Sequence, residues 1–155
     1  MLGTALTGCG SKTAAPETSV EPTQQTAPYQ QEQSQTEKAL ALINTFATGD
    51  TDTARSLLSD GYIQHNLAYG TGADAFIGSV EYLASADVKT TVNNIRAFED
   101  GDKVFLQTIY NFAGAGEQVA FDIFRFDEDG KIAEHWDVME TIADQSTWQN
   151  QNGKF

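Results

Sequence analysis

The chain has only two histidines, His65 and His135, and both fall in short β-prone runs that also carry polar partners. Glu134-His135-Trp136-Asp137 is the richer of the two. In an extended segment the side chains alternate. His135 and Asp137 then project side by side with Ala133 and Met139, opposite Ile132, Trp136 and Val138. Asp122 lies in the preceding run, Phe121-Asp122-Ile123-Phe124-Arg125-Phe126. Counted back through the turn signal Asp129-Gly130, it falls on an adjacent antiparallel strand and can share that face. With His65 from Tyr62-Ile63-Gln64-His65-Asn66, these residues make a candidate polar pocket.

Apolar surroundings and a second carboxylate make a carboxyl group hold its proton more tightly, which suits a general base. An imidazole beside it, from His65 or His135, is placed to hold a developing enolate. The reaction class is proton abstraction next to a carbonyl, leading to isomerisation, aldol-type cyclisation or dehydration. That chemistry requires no cofactor, and no P-loop, Rossmann glycine pattern or nucleophile elbow is present. Two His and two Asp could also ligate a metal, but their spacing matches no metal signature, so none is expected. Tyr62, Asn66, Tyr110 and Phe124 are the candidate ligand-contacting residues. Each residue also has a plainer reading. Asp122 could pair with Arg125, either histidine could bond to backbone, and Trp136 could pack in the core or at a dimer face.

The elements that must position these groups follow from periodicity. Glu37 to Thr48 carries Leu40, Ile43 and Ala47 on one side with Leu42 and Phe46 beside them, a broad helical stripe that Gly49 ends. Asp50 or Thr51 caps a second helix reaching about Leu58, and a third spans about Ala73 to Ala84. After Asp87 the pattern changes to strands: Val88–Glu99, Lys103–Phe112, Gln118–Phe126 and Lys131–Met139. Short connections, with Asp-Gly turns before Lys103 and Lys131, predict an antiparallel meander and an α+β fold of three helices followed by a sheet. Gln118–Phe126 is apolar on both faces, so the second face should be covered, most simply by a second copy of the chain.

The core-forming residues begin at Glu37, which gives a domain over 37–143 and a polar tail over 144–155 that is expected to fray, although Trp148 could pin part of it. The formal net charge of −13 works against binding to nucleic acid or to an anionic membrane surface. The only cysteine is Cys9, in Leu6-Thr7-Gly8-Cys9. This resembles the lipobox of bacterial lipoproteins, which implies lipidation at Cys9 and an extracytoplasmic domain held to the membrane by that lipid alone. Residues 10–36, rich in Gln, Thr, Ser, Ala, Pro and Glu, have the composition of a flexible tether. Residues 1–9 lack the charged n-region and the apolar run of a full signal peptide. Either the true start lies upstream of Met1 or the match is a coincidence.

Taken together, Phe121 to Phe126, Asp129-Gly130-Lys131-Ile132, Glu134 to Asp137 and Tyr62 to Asn66 resemble a SnoaL-like protein of the nuclear-transport-factor-2-like superfamily. The resemblance implies a strongly curved antiparallel sheet wrapped around helices, a cone with its pocket at the open end. It also implies a small hydrophobic or carbonyl-containing ligand. In polyketide-cyclising members an aspartate of the last strand is the acid/base, and by motif that position is Asp137. A histidine of the preceding long strand assists it there, and here that position is Asp122. Cyclase activity is therefore not carried across directly. Leu67 after Asn66 is a second departure, since related sequences often have Pro.

Overall fold

The computed structural model of the protein describes residues 33–155. Cys9 and most of the expected tether lie outside the described residues. The first helix, α1 (Gln35–Thr48), starts two residues before the sequence reading placed it because Ser34 caps it. The Ser34 hydroxyl accepts from the Glu37 backbone N–H at 3.1 Å, and Glu37 accepts from the Ser34 N–H at 2.8 Å. Gly49 closes the helix in the left-handed region at φ 75°. Asp50 then caps α2 (Thr51–Leu57), accepting from the Thr53 N–H at 2.9 Å.

The chain continues into β1 (Leu58–Gln64) and crosses through α3 (Ala73–Ser85) to a run of four strands. These are β2 (Thr91–Asp100), β3 (Lys103–Asn111), β4 (Gln118–Phe126) and β5 (Ile132–Thr141). The expected hairpins are present, with Gly101 and Gly130 at positive φ in two of the turns. The sheet order is β1-β5-β4-β3-β2. One expectation changes: β1 pairs parallel with β5, so the sheet is mixed rather than wholly antiparallel. Short local runs predict hairpins well, but no local signal shows that the first strand will join the last. Register shifts interrupt β1–β5, β2–β3 and β4–β5, and such bulges bend a sheet around its helices.

Helices and the inner sheet face enclose a core that includes Leu42, Ile43, Val80, Leu106, Phe124 and Ile132. On β4 the inner side chains are Ala120, Asp122, Phe124 and Phe126, all buried. The outer face behaves differently. Phe98, Phe121 and Val138 are 64%, 56% and 73% exposed, and with Phe105, Ile123 and Trp136 they line a shallow apolar groove. The tail after Ala143 is more ordered than its composition suggests. Trp148 Nε1 donates to the Ala143 carbonyl at 2.8 Å, and Gln107 Nε2 donates to the Lys154 carbonyl at 2.8 Å. No helix among the described residues is long and apolar enough to cross a membrane.

Candidate functional site

The inner face of the sheet and the helices leave a cavity of about 570 Å³. Its wall is mainly apolar, with Phe46, Phe76, Phe112 and Met139 among the lining residues, and its two carboxylates and its imidazole come from β4 and β5. Asp122 and Asp137 are direct partners across the β4–β5 ladder, and Phe124 is opposite His135. Antiparallel partners on one face bring their side chains together. The ligating atoms of Asp122, His135 and Asp137 accordingly lie within 4.8 Å of one another.

A chain of hydrogen bonds orders this cluster. The Asn66 backbone N–H donates to Gln64 Oε1 at 2.9 Å, which identifies the other end of that amide as its NH₂. Gln64 Nε2 therefore donates to His135 Nδ1 at 3.0 Å and to the Tyr62 hydroxyl at 3.3 Å. With its Nδ1 lone pair occupied, His135 is a neutral imidazole whose proton sits on Nε2, aimed at Asp122 Oδ1 at 3.1 Å. Tyr110 donates its hydroxyl to Asp122 Oδ2 at 3.0 Å, so both oxygens of this buried carboxylate are satisfied. Phe124 stacks on the His135 ring at 4.5 Å and fixes its plane. Asp137 is held differently. Asn66 Nδ2 donates to Oδ1 at 2.7 Å, while Oδ2 accepts from no described residue.

Two tyrosines complete the electrostatics. Burial, then the charges of Asp137 and Asp122, pushes the Tyr62 phenol well above its ordinary range. Burial and the bonded Asp122 carboxylate do the same to Tyr110. Both hold their protons, and Tyr110 donates its own to Asp122. The Tyr62 proton has no acceptor among the described residues.

Three groups this close could enclose a cation, but the hydrogen-bond order opposes it. A metal at His135 would need the Nε2 lone pair, and Gln64 leaves the proton on that nitrogen. The cluster is wired as a proton-holding chain rather than as a ligand set.

Seven of the eight residues expected at the pocket lie in or against it. Asp122, His135, Asp137, Tyr62, Tyr110 and Phe124 line the cavity, and Asn66 reaches it through Asp137. His65 does not. Its ring stacks on Trp136 at 4.5 Å, and its Nε2 lies 3.0 Å from Glu134 Oε2, on the outer face of β5. Arg125 bonds the same carboxylate through Nε at 2.7 Å, so Arg125 pairs with Glu134 and not with Asp122. His65 first and Arg125 next hold the Glu134 carboxyl below its usual range. Gln64, the residue that orients His135, was missed as a site residue. The signal was available: alternation from Tyr62 puts Gln64 on its side and His65 on the other.

Three helices, a curved mixed sheet and a cavity with one polar wall define the cone-shaped α+β class, the NTF2-like fold. Residues 39–135 match the SnoaL-like domain, and the chain belongs to that family. No curated protein matches it. Solved structures share the fold at low identity. An NTF2-like protein of unknown function from Cytophaga hutchinsonii superposes with a TM-score of 0.61 at 16% identity, over 72% of this chain and 94% of its own. The polyketide-cyclase candidate IdmH of Streptomyces antibioticus gives 0.56 at 18%, over 70% and 93%. An LEH-like epoxide hydrolase of M. tuberculosis gives 0.58 at 18%, over 66% and 80%.

Proposed function

We propose that the chain is a SnoaL-like small-molecule pocket protein in which Asp137 acts as a general base on a carbonyl-containing ligand, without a cofactor. The observation that carries this is the asymmetry of the two carboxylates. Asp122 spends both oxygens on Tyr110 and His135, whereas Asp137 is anchored by Asn66 through one oxygen and keeps the other for the cavity. Tyr62 supplies the complementary group, a phenol with its proton still to give. Asp137 Oδ2 takes a proton from carbon next to the carbonyl, and the Tyr62 O–H donates to the enolate oxygen as charge develops there. The proton then returns at another carbon, or the enolate carbon bonds to a second carbonyl carbon, whose C=O π bond opens to an alkoxide that takes the proton back from Asp137. Gln64 and His135 position this pair and do not touch the ligand's reacting atoms.

The test needs no named substrate. Small cyclic ketones and β-dicarbonyl compounds are incubated with the protein in D₂O, and exchange of their α-protons is followed by NMR. Asp137→Asn should slow catalysed exchange by roughly 10²–10⁴-fold, the usual contribution of a positioned base. Equal rates for the two proteins would remove Asp137 from the chemistry.

A second reading, a binding protein without turnover, is favoured by Asp122 at the position of the cyclases' histidine and by the lipobox-like Leu6-Thr7-Gly8-Cys9. In that reading Cys9 carries the lipid and the domain works outside the cytoplasm. Metabolic labelling with a fatty-acid analogue tests it, with Cys9→Ser as the control. We also propose a homodimer through the outer face of the sheet, where the exposed Phe98, Phe121 and Val138 lie beside Trp136.

A further inference from the structure

The cavity is unusual in its charge. It contains two carboxylates, Asp122 and Asp137, and no lysine or arginine among its described lining residues. The one imidazole is neutral, because Gln64 occupies Nδ1 and the Nε2 proton faces Asp122. Negative charge held in an apolar enclosure is costly unless a cation offsets it. Tyr110 and His135 solvate Asp122 with neutral dipoles, which spreads its charge without cancelling it. Much of the remaining wall is aromatic. Tyr62, Phe76, Tyr110, Phe112 and Phe124 all line the cavity, with Phe46 packed on Phe76 and Phe112. Aromatic faces carry partial negative charge and attract organic cations, most strongly when water is excluded.

From this combination we infer that the molecule the pocket takes is an organic cation, an apolar body bearing an ammonium group. The inference rests on the small-molecule reading above and names the class of ligand. The aromatic faces receive the ammonium group within the field of the two carboxylates, the apolar wall takes the remainder, and the second oxygen of Asp137 stays with the carbon next to the ligand's carbonyl. Neutral isosteres gain the apolar contacts only. Anionic ones meet two carboxylates with nothing to pair with.

The test is a charge series on one carbon skeleton. Binding of phenethylammonium, 2-phenylethanol and phenylacetate to the full chain is measured by ligand-observed NMR and calorimetry. Choline and its neutral isostere 3,3-dimethylbutan-1-ol form a second pair. Each cation should bind at least ten-fold tighter than its neutral partner, and the anion should not bind. The preference should persist at 0.5 M NaCl, which screens the acidic surface but not an enclosed site. Asp137→Asn should reduce it to about two-fold or less. Asp122→Asn should weaken it as well, and if that variant does not fold, Asp137→Asn carries the test alone. Equal or tighter binding of the alcohols would overturn the inference and leave the small-molecule reading standing. A cation preference that disappears in salt, or survives unchanged in Asp137→Asn, would assign it to the surface and also overturn the inference. Binding of none of the five compounds would overturn it too; catalysed α-proton exchange of ketones would then show whether the pocket reading survives.

Discussion

Tyr110 shows how much one hydroxyl supports at this site. It is buried and donates to Asp122 Oδ2 at 3.0 Å, so Tyr110→Phe leaves a buried acceptor short of a donor. Hydrogen bonds to charged groups contribute about 1.5–3 kcal/mol, and a loss of that size is expected in chemical denaturation. Tyr62→Phe should be milder for stability, because its hydroxyl accepts only from Gln64, at 3.3 Å. The two phenols also set an alkaline limit. Both hold their protons above the ordinary value of 10.0, whereas the unfolded chain releases them there. Stability should therefore fall as pH rises beyond about 10, and Tyr62→Phe and Tyr110→Phe should each flatten that fall. Absorbance at 295 nm checks the premise: in the native protein neither variant should lose tyrosinate signal near pH 10 relative to wild type.

At the scale of elements, the helices are placed by close approaches that leave little room. A Cβ built on Gly49 would lie 2.8 Å from Ala84 Cβ, and the backbone there has φ 75°. Gly49→Ala combines that clash between the end of α1 and α3 with left-handed strain of about 1–2 kcal/mol, so the melting temperature should drop by several degrees. Such features bear on what could be read beforehand. The helices, the hairpins and the Asp122–Asp137 pairing follow from period and turn chemistry, which are local. The β1–β5 pairing was not legible, since it joins segments far apart in the chain. His65 was misplaced because its motif was read as a unit. Ile63 is 44% exposed and Tyr62 only 2%, so the alternation that worked for β5 applies to β1 as well. The bond from Gln107 to Lys154 that docks the tail is equally non-local.

For the whole molecule, the contrast between the two sheet faces carries the main prediction. The inner face is covered by helices around the cavity, whereas Val138 on the outer face remains 73% exposed beside exposed phenylalanines. If a second copy covers that surface, the wild-type protein sediments as a dimer and Val138→Glu as a monomer, with the pocket unaffected. A wild-type monomer at micromolar concentration would sink the proposed dimer. The net charge of −13 works against association of two copies, so the fitted apolar surface has to hold the dimer against that repulsion.

The parallel junction of β1 with β5 also fixes the order in which the site can be assembled. The bonds from Gln64 to His135 and from Asn66 to Asp137 each span 71 residues. The donors leave the ribosome early, and their acceptors follow only after α3 and three further strands. Loops of that length close slowly, and their contacts are among the last to reward the chain for folding. The site is therefore completed at the final step of folding, and a chain truncated before Ile132 would retain the β2–β3 and β3–β4 segments yet lack His135 and Asp137.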